Sequence, residues 1–79
     1  MLATKYIVFK LGSLEDMIIF SGLQQHANIS QKINSEVVSA GFMRLSKDGP
    51  ICYGDSVSLK TSSRPDEDTK LARRLFGIG

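Results

Sequence analysis

The chain has 79 residues, room for one domain and not two, and its 42% hydrophobic and 23% charged residues exclude a disordered chain. Ten Lys and Arg against eight Asp and Glu leave a net charge of +2, too little alone to argue for nucleic acid or an anionic membrane surface. The single cysteine, Cys52, excludes an internal disulfide, so a domain that hides only about 60–65% of its unfolded surface must be held by packing.

The N-terminal residues Met1–Tyr6 carry no signal-peptide pattern, and no apolar run approaches the ~18 residues of a membrane span. With a lone thiol that suits a reducing compartment, the expectation is a cytoplasmic protein that does not enter a membrane.

Residues Thr4–Leu11 alternate as a strand, with Tyr6, Val8 and Lys10 on one side and Ile7, Phe9 and Leu11 on the other. Gly12-Ser13 breaks the run, and the short apolar segment Met17–Phe20 reads as a second, antiparallel strand. Ser21 then has the chemistry of a helix N-cap. Leu23, Ala27 and Ser30, with His26, Ile29 and Ile33 beside them, form one apolar stripe that predicts a helix over Gly22–Ile33. Asn34 is suited to end it.

Glu36–Leu59 is the stretch around which the chain is organised. It predicts a β-hairpin turning at Lys47-Asp48-Gly49-Pro50. Gly41 marks an irregularity in the first arm. In the second arm Ile51, Tyr53, Val57 and Leu59 share the apolar parity, Cys52, Ser56 and Ser58 take the opposite side, and Gly54-Asp55 bends the strand. Tyr6, Val8, Met43 and Leu45 are surplus to a one-sided core, so an exposed apolar face and a homodimer through that face or an edge strand are expectations.

Thr61–Asp66 is the clearest break. Pro65 suits the first turn of a helix, Ser63 with Asp66 resembles a capping box, Asp66, Glu67 and Asp68 complement the positive end of the helix dipole, and Arg73 and Arg74 the negative end. Leu71, Ala72, Leu75 and Phe76 form the expected buried stripe, and Gly77 the stop. The expected fold is therefore α+β, in the order ββαββα. It is a single domain over residues 1–79, a mostly antiparallel four-stranded sheet with two helices packed on one face, or on one face and an edge.

Few residues carry chemistry. His26 has no Cys, Asp or Glu three or four positions away and reads as a half-buried structural residue. Cys52 has no local base and reads as a small strand residue. The carboxylates fall in turns or at the start of the last helix, and no glycine spacing makes a phosphate loop. No catalytic residue, metal or cofactor is assigned, and the chain is read as a non-enzyme. The candidate binding residues are Lys60, Arg64, Lys70, Arg73 and Arg74, all in the last third, which would together form a positive surface for an acidic partner or a phosphate backbone. The competing reading is a solvated helix face, with Asp66–Lys70 and Glu67–Lys70 pairs worth about 0.2–0.5 kcal/mol each.

Three segments, Glu36–Phe42, Cys52–Leu59 and Ser63–Asp68 with Leu71 and Leu75, together with Met17–Phe20, resemble small uncharacterised proteins encoded by tailed bacteriophages and prophages. The resemblance spans most of the chain and carries no motif of any chemistry. It implies a small accessory protein of a bacterial cytoplasm that acts by binding a host or phage protein, inhibition of a defence or regulatory complex being one such role. The alternative is a nucleic-acid-binding accessory protein that uses the basic surface of the last helix.

Overall fold

The computed structural model describes residues 3–77. They form a small α+β fold in which a four-stranded antiparallel sheet carries two helices. The elements are β1 (Thr4–Leu11), β2 (Leu14–Phe20), α1 (His26–Ser30), β3 (Val37–Ser46), β4 (Gly49–Tyr53), β5 (Asp55–Ser56), β6 (Thr61–Ser62) and α2 (Pro65–Leu75). The sheet order is β2-β1-β3-β4, and β5 and β6 pair as a separate two-stranded hairpin.

β1 sits inside the sheet, and its fully buried residues at both parities, Tyr6 and Val8 on one side and Ile7 on the other, show that both of its faces are covered. Tyr6 and Val8 face α2 and form the main core with Met43, Cys52, Leu71 and Ala72. On the other face Ile7 and Ala40 are fully buried. There His26 of α1 packs edge-on against Phe20 and Phe42, with ring centroids 5.4 and 5.9 Å away. The two helices thus lie on opposite faces of the sheet, where a shared face or a face and an edge had been expected. α2 also reaches the edge: the Thr69 hydroxyl accepts the Cys52 backbone N–H at 2.9 Å.

The expected exposed face is therefore core. Tyr6, Val8 and Met43 are buried under α2, and only Leu45, 72% exposed, remains outside. The parity of the second hairpin arm is reversed for the same reason. Cys52 lies opposite Met43 and shares its buried face, while Tyr53 is exposed. The alternation was legible, but a β-strand with apolar residues at both parities does not say which side the helix will take.

Two predicted elements are shorter. The helix expected over Gly22–Ile33 is reduced to the single turn His26–Ser30. Before it, the Ser21 hydroxyl accepts the Leu23 N–H at 3.2 Å, and the Ser21 carbonyl accepts the Gln24 N–H at 3.0 Å, which holds the chain in a turn. Leu23 points to solvent, so the apolar stripe never assembles. The second arm of the hairpin stops at Tyr53, because Gly54 takes a positive φ of 80° and turns the chain out of the sheet. The next residues make the β5–β6 hairpin around an exposed turn at Val57–Lys60, closed at its base by Ser63 N–H donating to the Gly54 carbonyl at 2.9 Å.

Gly41 pairs regularly with Tyr6, and the irregularity of β3 lies at Val38, where the register with β1 shifts. Gly41 is instead a point of close approach. A Cβ there would lie 2.5 Å from the Tyr53 carbonyl oxygen and 3.1 Å from Ser63 Cβ. In α2, Pro65 occupies the first turn as expected, but the capping box does not form. Arg64 is the N-cap, and Leu75 and Phe76 are exposed while Asp68 is buried in the stripe.

Gly41→Ala should lower stability by about 1–3 kcal/mol, because the clash is with backbone that the closed 54–63 loop holds in place. Urea unfolding checks this, with Gly12→Ala as the comparison. That site has open space, and only its positive φ of 63° is at stake, about 1–2 kcal/mol. A wild-type midpoint for Gly41→Ala would show that the crossing tolerates a methyl group.

Candidate functional site

Asp68 is fully buried, with its carboxylate directed from α2 into the sheet. Its Oδ2 accepts the Tyr6 hydroxyl at 2.5 Å and the Arg64 backbone N–H at 2.8 Å. Its Oδ1 accepts the Ser39 hydroxyl at 2.9 Å and the Arg64 Nε and Nη2 at 3.1 and 2.9 Å. Arg64 continues outward to Glu15, donating from Nη2 to Oε1 at 2.8 Å and from Nη1 to Oε2 at 3.2 Å. One carboxylate thus joins β1, β3 and α2, and its arginine reaches β2.

The electrostatics follow from this geometry. Burial, with the hydrogen bond to the Asp68 carboxylate and that group's charge behind it, raises the Tyr6 phenol above its ordinary range. The hydrogen bond from Arg64 holds Glu15 below the usual carboxylate range, and Glu15 in turn raises Arg64. A carboxylate offers about four lone-pair positions, and Asp68 takes five contacts from Tyr6, Ser39 and Arg64. Its acceptor positions are all taken within the fold, so the cluster works as a clamp.

The candidate basic residues do not converge. Arg64 is turned inward onto Asp68 and Glu15. Lys70 and Arg73 line one groove with Asp66, Thr69 and Pro65. Arg74 lines another, beside Leu14 and Glu15. Lys60 stands in the exposed Val57–Lys60 turn with φ 53°. The helix pairs expected between Lys70 and Asp66 or Glu67 are not among the ion pairs of the described residues, whereas Arg64–Asp68 is. Arg73 Nε is buried and has no hydrogen-bond partner among the described residues.

His26 is 3% exposed, more deeply buried than the sequence suggested. Its Nε2 lies 2.8 Å from the Gly41 carbonyl oxygen. A carbonyl can only accept, so Nε2 carries the proton and the ring is structural glue between α1 and β3. Burial lowers its pKa. Burial likewise pushes the Cys52 thiol up to about 11, which leaves it a neutral and poor nucleophile near pH 7. Among the described residues no three His, Cys, Asp or Glu side chains converge to hold a metal ion, and no helix is long and apolar enough to cross a membrane.

An apolar groove of about 620 Å³ lies at one end of the sheet, and the sequence pattern points only to Met43 and Leu45 of it, in the expected exposed apolar face. Ile19, Met43 and Leu45 line it from β2 and β3, Tyr53 from β4, and Phe76 from the end of α2, with Arg44 as its one charged residue. The signal was present as Leu75-Phe76, assigned to the core. The helix passes over the sheet at Leu71 and Ala72 and leaves its last apolar residues beside the sheet end.

Asp68→Ala should cost about 3 kcal/mol or more in urea unfolding, since it leaves Arg64 and the Tyr6 hydroxyl without their acceptor. Tyr6→Phe should cost about 1.5–3 kcal/mol, and Glu15→Gln, at the exposed end, only about 0.2–1 kcal/mol. Equal losses for Asp68→Ala and Glu15→Gln would deny the buried carboxylate its central place. His26 gives a separate pH signature. Its folded pKa is below its unfolded value of about 6.5, so the unfolded chain binds more protons and stability declines as pH falls below about 6.5. The slope is at most about 1.4 kcal/mol per pH unit. His26→Leu should flatten stability between pH 7.5 and 5.5, measured by urea midpoints.

Scans against protein-family models, curated proteins and solved structures found no match to this chain.

Proposed function

We propose that this is a small non-enzymatic accessory protein of phage or prophage type that acts in a bacterial cytoplasm by binding a host or phage protein. The observation that carries the reading is the groove formed by Ile19, Met43, Leu45, Tyr53 and Phe76. Four of these five, Ile19, Leu45, Tyr53 and Phe76, are among the exposed large hydrophobic residues, and on a domain this small such a cluster marks an interaction surface. Its occupant is an apolar segment of another protein that carries a carboxylate, because Arg44 is the only charge in the groove. Inhibition of a defence or regulatory complex is the role proposed for such binding. The groups most suited to catalysis are committed elsewhere: Asp68 is saturated, the His26 Nε2 proton is given to Gly41, and Cys52 is buried and protonated.

A second reading, nucleic-acid binding through the last helix, draws on Lys70 and Arg73. They line one groove, where the two cations could meet a phosphate backbone. It loses Arg64, which is already held by two carboxylates.

The test is affinity purification from bacterial lysate, with and without nuclease, using wild type, Leu45→Asp and Arg73→Glu/Arg74→Glu. Protein binding predicts a nuclease-resistant partner whose affinity falls at least about tenfold with Leu45→Asp and is kept by the double charge reversal. Leu45 is 72% exposed, so the change should leave the urea midpoint near wild type. A partner lost on nuclease treatment and on charge reversal would replace the first reading with the second. A partner retained in full by Leu45→Asp would remove the groove from the account.

A further inference from the structure

The outer side of β2 is an edge of the sheet. The Lys10 N–H donates to the Glu36 carbonyl at 2.9 Å, away from β2. Lys10 and its partner Glu15 are therefore a non-hydrogen-bonded pair of the β1–β2 ladder. Alternation then directs the backbone groups of Leu14, Asp16, Ile18 and Phe20 toward β1, and those of Glu15, Met17 and Ile19 outward. The two-residue turn Gly12-Ser13, with φ +63° at Gly12, suits the hydrogen-bonded pair Leu11–Leu14 that this pattern requires.

Of these outward donors, the middle one is occupied. Met17 N–H donates to the Oδ1 of Asp16, its own neighbour, at 2.8 Å. The opposite edge of the sheet is handled in a comparable way, with the Cys52 N–H taken by Thr69. The middle of the β2 edge is thus closed by a side chain of the strand itself.

We infer that Asp16 is a stopper that prevents the β2 edges of two copies from pairing into one continuous sheet. Antiparallel two-fold pairing joins outward residues to outward residues. Centring it on Ile18 sets Met17 opposite Ile19 of the second copy and Ile18 opposite Ile18. This buries the half-exposed Ile18 against its own copy on one face and the half-exposed Ile19 against Met17 on the other. Each copy must then donate its Met17 N–H to the Ile19 carbonyl of the other, and each Met17 N–H is already held by Asp16. The same donor is needed when pairing is centred on Met17. An unguarded β2, with the apolar run Met17–Phe20, would be an open template for strand addition. A homodimer through an edge strand is the alternative the sequence allows, and Asp16 is what opposes it.

Sedimentation velocity over a concentration series tests the stopper. Asp16→Ala removes the acceptor and should tighten self-association about ten- to hundredfold, with wild type remaining monomeric over the same range. Asp16→Asn keeps an oxygen at Oδ1 without the charge and should behave as wild type. Asp16→Ala/Ile18→Cys should form a disulfide dimer, because the central non-hydrogen-bonded pair brings the two Cα atoms to about 4.5 Å. Unchanged sedimentation of Asp16→Ala, equal dimerisation of Asp16→Asn, or failure of Ile18→Cys to cross-link would each overturn the proposal. Amide exchange in wild type gives a check independent of any variant. The Met17 N–H should exchange more slowly than those of Glu15 and Ile19, and equal rates would also overturn it.

Discussion

Burial of the Asp68 carboxylate is the constraint on which the rest of the structure depends. A lone carboxylate cannot stay charged in an apolar interior, because its loss of hydration costs several kcal/mol. It is tolerated here because Tyr6, Ser39 and Arg64 surround it with donors. Those donors come from β1, β3 and the N-cap of α2, so satisfying one residue fixes the relative positions of three elements. Arg64 then carries the arrangement to Glu15 on β2. A 79-residue chain with no disulfide has little core to spare. A polar clamp adds specificity of packing more than net stability, and it determines where α2 lies.

That position divides the surface. With Asp68, Leu71 and Ala72 facing the sheet, Lys70 and Arg73 look to one side of α2 and Arg74 to the other. Leu75 and Phe76 extend past the core, and Phe76 becomes a wall of the apolar groove. The basic surface and the apolar surface are thus consequences of the same buried contact. The clamp removes Arg64 from the former and leaves the latter as the larger coherent feature.

Both sheet edges are closed by single backbone donors finding side-chain oxygens, Cys52 N–H on Thr69 and Met17 N–H on Asp16. Similar economy operates at His26, which fills the space between Phe20 and Phe42 and also donates to the Gly41 carbonyl.

The sequence by itself determined the four strands of the main sheet, apart from where the last one ends, and the last helix. β1 covers the expected Thr4–Leu11, and α2 starts at Pro65 as its turn chemistry dictates. Two-residue alternation and a proline at a helix start are local effects, so they are readable without a fold. The same local pattern misled at α1, where a stripe from Leu23 to Ile33 had no second surface to receive its first turn. Only the tertiary structure decided which face of the sheet each helix covers, that Asp68 is a buried hub and not a solvated dipole charge, and that Arg64 is its partner. Tyr6, Ser39 and Glu15 are 62, 29 and 49 positions from the residues they meet. Side chains that distant become neighbours only when the sheet has assembled, and the charge pattern of the helix alone favoured the exposed reading.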